Sequence, residues 1–283
     1  MTFTIVTDST SDLPISWVQE NDVTVLGLTI NLDGVTYETV GEKRLTSAEL
    51  LEKMETGGLP TTSQVNVGQF EEVFEAAAKE GKEVLYLAFS SALSGTYQSG
   101  TIARDMVLDA YPDAVIEIVD TKAAAIGEGY LVMQAAQARA AGKSLAETKA
   151  LIEDLVPRLR TYLLVDDLNH LVRGGRLSKS AALIGGLVNI KPLLALNAEG
   201  KLEAIAKIRG RKKGIKEMLN LNLDHSTVMV AYTGDIEAAE AIKATLLEDS
   251  RVTDVLLTEL GPIIATHTGT GALAILSINK KER

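Results

Sequence analysis

The chain of 283 residues reads as an α/β protein of two domains. The N-terminal one is a mostly parallel βαβ sheet with a small hairpin insertion, and the C-terminal one is a mixed α/β sheet with an antiparallel hairpin. Three observations predict this. Short apolar runs alternate with amphipathic helical segments through the first half, the rhythm of crossover units. Residues 84–89 are apolar almost throughout, as expected where both faces of a sheet are covered. In the second half, two strand-like runs flank Asn197-Ala198-Glu199-Gly200, which pairs them as a hairpin. The pattern changes near Pro157 to Arg160, so the expected domains are 1–158 and 159–283, with a ligand between them.

Taken in order, Thr4 to Thr7 begins as a strand and ends in the polar run 8–12, and Pro14 suits a first helical turn. Val23 to Leu28 is apolar. Asp33-Gly34 is a turn signal inside the hairpin at 31–37. Thr46 to Glu49 has the capping-box pattern, opening a helix that Gly57-Gly58 ends. Phe70 to Lys79 is helical up to Gly81. After the strand at 84–89, Thr96 to Leu108 is a helix, Val115 to Val119 a buried strand and Leu131 to Ala141 an Ala-rich helix. Ser144 to Glu147 caps one more. Beyond the boundary, Pro192–Leu196 and Leu202–Ile208 form the hairpin. Lys212–Leu219 is a helix, Val228–Tyr232 a strand and Ile236–Leu247 a helix. Val255–Leu260 and Ala272–Ile278 close the chain as strands.

Composition narrows the function. With 46% hydrophobic and 4% aromatic residues, the core is large and aliphatic. A net charge of −10, from 28 basic and 38 acidic residues, argues against a nucleic-acid partner, whose phosphates call for basic surface. Cysteine is absent and histidines number three, so neither thiol chemistry nor a metal site is expected. The most apolar stretch, 181–196, is interrupted by Asn189, Lys191 and Pro192, short of the ~18 apolar residues of a membrane span. The start, MTFTIVTDSTSDL, lacks the basic and apolar regions of a signal peptide. The expectation is a cytoplasmic protein with no membrane span and no cofactor.

Ligands of open parallel sheets bind beyond the carboxyl ends of strands. Three such ends are rich in hydroxyls here: Asp8-Ser9-Thr10, Ser90 to Thr96, and Asp120-Thr121-Lys122. Ser94-Gly95-Thr96 also opens a helix, where free N–H groups and partial positive charge favour an anion. A serine there also reads as an ordinary N-cap; the three ends together point to a site. Further candidates are the loop Pro60-Thr61-Thr62-Ser63-Gln64 and the Gly-Gly loop carrying Arg173 and Arg176. The basic run 207–213 follows, in which Arg209 points toward the interdomain cleft, and then His267 in a frame of small residues, 261–271. The Arg173/Arg176 loop reads equally as a solvated turn or as a docking point for an acidic partner.

In this order, TDSTSDL, PTTSQ, SSALSGTYQS, DTKAAAIGEG, LVRGGRLS, KIRGRKK and GPIIATHTGTG resemble the DegV family of bacterial fatty-acid-binding proteins, over nearly the whole chain. The resemblance implies two α/β domains enclosing one fatty acid, whose carboxylate is held by Thr62 and Ser94 and whose polar network extends to His267 and Arg209. It also implies a carrier that performs no chemistry alone and presents its ligand to a separate fatty acid kinase subunit. Val65, Ala123 to Ala125, and Thr270 depart from the family pattern. The alternative is a hydrolase or small phosphoryl-transfer enzyme with Ser94 as nucleophile, His267 as base and Asp8 or Asp120 orienting it. Neither a GxSxG elbow nor a GxxxxGK[ST] loop supports that alternative.

Overall fold

The computed structural model describes residues 3–178, 190–221 and 227–280. Most of the apolar stretch 181–196 therefore lies outside the described residues. Within them, four parallel strands form the first sheet in the order β2-β1-β6-β7 (β1, Thr4–Asp8; β2, Val23–Leu26; β6, Val84–Ala88; β7, Ile116–Asp120). Between β2 and β6 the chain inserts a small antiparallel sheet, β4-β3-β5 (β3, Thr29–Leu32; β4, Val35–Glu38; β5, Thr61–Ser63). The Asp33-Gly34 turn joins β3 to β4 with both residues at positive φ, the conformation such a turn demands.

The second sheet is mixed, in the order β10-β9-β8-β13-β11-β12 (β8, Leu159–Leu164; β9, Ile190–Leu196; β10, Leu202–Arg209; β11, Thr227–Tyr232; β12, Asp254–Glu259; β13, Leu273–Ile278). β11 and β12 are parallel, and every other pair is antiparallel. The β9–β10 hairpin forms around Asn197–Gly200, as its sequence requires.

The layers follow from which faces are apolar. One face of the first sheet, with Val6, Val84 and Tyr86, packs on α3 (Val67–Lys79) and α4 (Thr96–Ala110). The other face, with Ile5, Leu85 and Leu87, meets α5 (Ile126–Ala140), which also reaches the inner face of the second sheet at Met229, Ala231, Leu276 and Leu163. α5 is buried at Ile126 to Gly129, Leu131, Val132, Ala135, Ala136 and Ala138. A helix covered nearly all round needs apolar residues nearly all round, and its small alanines let both sheets approach. The outer face of the second sheet buries Val228, Val230, Leu273 and Ile275 with Met218 of α8 (Arg211–Leu221) and Ile242 of α9 (Ile236–Leu247).

Several elements differ from the sequence expectation. β5 and β8 are strands where a loop and a domain boundary were expected. α5 begins at Ile126, five residues before the expected start. The segment 261–271, expected as a glycine-framed loop, contains the helix α10 (Pro262–Thr268), with Pro262 in its first turn after Gly261, a favourable place for proline.

Candidate functional site

The first sheet has its topological switch point between β1 and β6, since the chain leaves β1 toward β2 on one side and returns to β6 on the other. Crevices for ligands open at the carboxyl ends of such strands. Here the crevice continues as a cavity of about 170 Å³ between the two sheets. Leu28, Phe89, Leu93, Ala124, Leu163, Leu171, Leu196, Leu202, Leu260, Ile263, Ala274 and Leu276 supply an aliphatic wall, while Thr62, Gln64, Ser94, Arg176 and His267 supply polar atoms.

Each polar side chain is placed by local structure. Thr62 is central in β5, paired with Ile30, so alternation turns it away from its exposed neighbours Thr61 and Ser63 and toward the cleft. Ser94 precedes Gly95 and α4. Its Oγ accepts from Thr96 N at 3.2 Å and lies 2.9 Å from Thr96 Oγ1. When Thr96 donates in that pair, the Ser94 hydroxyl proton is free for a ligand. Gly95 is required because a Cβ there would overlap the Gln64 side chain, which is tied to Ser99 Oγ at 2.8 Å. In α10, Ile263, Ile264, His267 and Thr268 all line the cavity, the spacing of one helical face.

His267 Nε2 lies 2.9 Å from Thr62 Oγ1. Its Nδ1 is buried without a hydrogen-bond partner. A proton on Nε2 leaves Nδ1 as an unpaired acceptor, a cheaper orphan than a buried N–H, and lets His267 donate to Thr62. The Thr62 hydroxyl proton is then free to donate into the cavity. Burial, helped by the positive charges of Arg176 and Arg173 and by His170, lowers the His267 pKa to about 4, so the ring is neutral at pH 7. Arg176 donates from Nε to Leu93 O at 3.0 Å and from Nη1 to Gly174 O. Desolvation lowers its pKa, yet a guanidinium remains charged.

The RGGR and ATHTGTG segments interlock. A Cβ at residue 174 would overlap His267 Nδ1, and a Cβ at residue 269 would overlap the His170 ring. Each motif glycine thus makes room for a histidine of the other motif. His170 Nδ1 lies 2.9 Å from Arg173 Nη2, and Arg173 is exposed.

The structure brings Thr62, Ser94 and His267 to one cavity and places two arginines differently from expectation. Arg209 is the exposed last residue of β10, an edge strand, and does not line the cavity; the edge position leaves its guanidinium in solvent. Arg176, expected as an exposed docking residue beside Arg173, is half-buried and lines the cavity. The pair splits because Arg173 ends α7 (Asn169–Arg173) while the Gly174–Gly175 turn, with Gly175 at φ 73°, carries Arg176 inward.

The triad of the alternative reading does not assemble. Ser94 Oγ is paired with Thr96, and His267 Nε2 with Thr62. Asp8 is fully buried and accepts from Thr10, Tyr86 and Phe89. Asp120 closes a turn with Ser91 and Lys122. Among the described residues no group of acidic or histidine side chains is placed to hold a metal ion, and no helix is long and apolar enough to cross a membrane.

A family model described as "Uncharacterised protein, DegV family" matches residues 2–280. A DegV domain-containing protein of Streptococcus pyogenes is 56% identical over 286 aligned residues, covering 100% of both chains. Of solved structures, a DegV family protein from Thermus thermophilus described for fatty acid binding is similar at 35% identity and TM-score 0.89, over 99% of this chain and 100% of its own. A fatty acid binding DegV family protein from Streptococcus agalactiae is similar at 30% identity and TM-score 0.88, over 99% and 100%.

Proposed function

This chain belongs to the DegV family, and on that premise we propose that it binds one long-chain fatty acid between two domains, 1–158 and 159–283, and presents the carboxylate to a separate kinase subunit. The observation that carries the reading is a single cavity with an aliphatic wall and, among the polar side chains lining it, Thr62, Ser94, Arg176 and His267. A carboxylate leaving water requires charge balance and hydrogen bonds. Arg176 offers the charge; Thr62 and Ser94 offer hydroxyl donors; His267 holds Thr62 in its donating orientation. Burying the alkyl chain contributes roughly 0.8 kcal/mol per methylene, which makes release slow. The solved relatives described as binding fatty acids share the fold over almost the full chain.

Presentation to a kinase draws on the family resemblance and on the exposed guanidinium of Arg173, one helical turn after His170. Titrating lipid-stripped protein with palmitic acid and with methyl palmitate tests the binding half. The expected result is saturation at one acid per chain and affinity for the ester at least about tenfold lower, the loss of one charged hydrogen bond. Equal affinity for acid and ester would contradict the head-group assignment. Incubation with ATP tests the other half: acyl phosphate is expected only when a kinase subunit is added.

A further inference from the structure

The wall opposite α5 contains a polar atom that the carboxylate site does not use. Thr161 lines the cavity and is 9% exposed, yet its Oγ1 is buried with no hydrogen-bond partner. It lies in β8 between Leu159 and Leu163, both buried in the interlayer core, so strand alternation aims it at the same face. Its partner across the antiparallel pair is Leu276, while Leu163 faces Ala274. β13 runs away from α10 and His267, so Thr161 is two residues, about 7 Å, farther from the head group than Leu163. Beyond it the cleft closes: a Cβ on Gly127 would overlap Leu276 Cδ2.

Valine would supply the same branched shape and strand preference without an orphaned oxygen, which is costly in an apolar setting. Thr148 Oγ1 is likewise unpartnered, but it sits on α6 (Leu145–Leu155) and does not line the cavity. Thr161 is the one of the two that lines the cavity.

Resting on the fatty-acid reading above, we propose that Thr161 is a second polar subsite, selecting acyl chains that carry a hydroxyl at one position along the chain. A chain oxygen there exchanges hydrogen bonds with Thr161 Oγ1 and removes the orphan; a plain methylene chain leaves it. The selection is positional, because the carboxylate anchored at Thr62, Ser94 and Arg176 fixes which carbon reaches residue 161.

The test is the affinity of lipid-stripped protein for stearic acid and for a series of positional hydroxystearic acids, in the native chain, Thr161→Val and Thr161→Ser. One isomer, or two adjacent ones, should bind about five- to tenfold more tightly than the remaining isomers, the gain of roughly one hydrogen bond. Thr161→Ser should keep that preference and Thr161→Val should lose it, while binding stearic acid at least as well as the native chain. A flat series, or a preference that survives in Thr161→Val, would overturn the subsite. Failure to bind stearic acid in every variant would overturn the fatty-acid reading itself, a separable result.

Discussion

Two of the hydroxyl-rich strand ends teach more together than either does alone. The end of β1 and the loop after β6 look alike in sequence, Asp8-Ser9-Thr10 against Ser90 to Thr96. In the structure the first is consumed. Asp8 accepts from Thr10 N, Thr10 Oγ1, Tyr86 OH and Phe89 N, and the Glu128 carboxyl group lies 2.8 Å from Thr7 Oγ1 and 2.9 Å from Thr10 Oγ1. Thr7, Asp8, Thr10 and Glu128 are fully buried. The second end stays open: when Thr96 donates to it, Ser94 keeps a proton to give, and it shares the cavity with Thr62, His267 and Arg176. A polar cluster that satisfies itself holds the fold, and one left with donors facing a cavity holds a ligand.

That contrast breaks first at Asp8. Asp8→Ala strips the acceptor from four buried donor groups on three residues, at roughly 1–3 kcal/mol each. The expected loss is about 3 kcal/mol or more of unfolding free energy by urea denaturation; a loss below about 1 kcal/mol would show that the cluster is not structural.

At the open end the effect moves from stability to affinity. Ser94→Ala and Thr62→Ala each remove one hydrogen bond to a charged oxygen, about 1.5–3 kcal/mol, so fatty acid affinity should fall about ten- to a hundredfold. Thermal melting without ligand should change little. Reduced stability with unchanged affinity would make either residue purely structural.

Protonation sharpens the same contrast with opposite signs. Burial raises the pKa of Asp8 and Glu128, so their contribution to stability is full below the ordinary carboxylate range and is lost as pH rises through the raised values. Burial lowers His267 to about 4 from 6.5, so its contribution is full above 6.5 and is lost as pH falls toward 4. Ligand-free protein should therefore lose about 2–3 kcal/mol from the histidine over that window. Unfolding measured from pH 7 to 4 in the native chain and His267→Gln checks this; an unchanged acid limb in the variant would show that the histidine is not the cause.

The smallest effects belong to the arginines outside the cavity. Arg209→Ala and Arg173→Glu should leave fatty acid affinity within about twofold. Arg173→Glu should also slow kinase-dependent acyl phosphate formation most at low salt, as charges at a rim do. A tenfold fall in fatty acid affinity for Arg209→Ala would return that residue to the head-group site.

The sequence made much of this fold readable where local signals were strong. The capping boxes at Thr46 and Ser144 sit where their patterns placed them. Thr62, Ser94 and His267 were legible because each sits in a motif at a strand or helix end. α10 was not, since Gly261, Thr266, Thr268 and Gly269 mask its short apolar stripe, although Gly261-Pro262 was a start signal. The choice of Arg176 over Arg209 was also unreadable. It depends on the Gly174–Gly175 turn and on which strand lies at the sheet edge, and both are properties of the assembled tertiary structure.

The fatty-acid reading turns on the open strand end and its cavity. Native mass spectrometry of the purified protein, with analysis of its organic extract, addresses it most directly. One long-chain fatty acid per chain is expected, lost from a Thr62→Ala, Ser94→Ala double variant that still folds. An extract without fatty acid, from a protein that also takes none up when a panel is added, would contradict it.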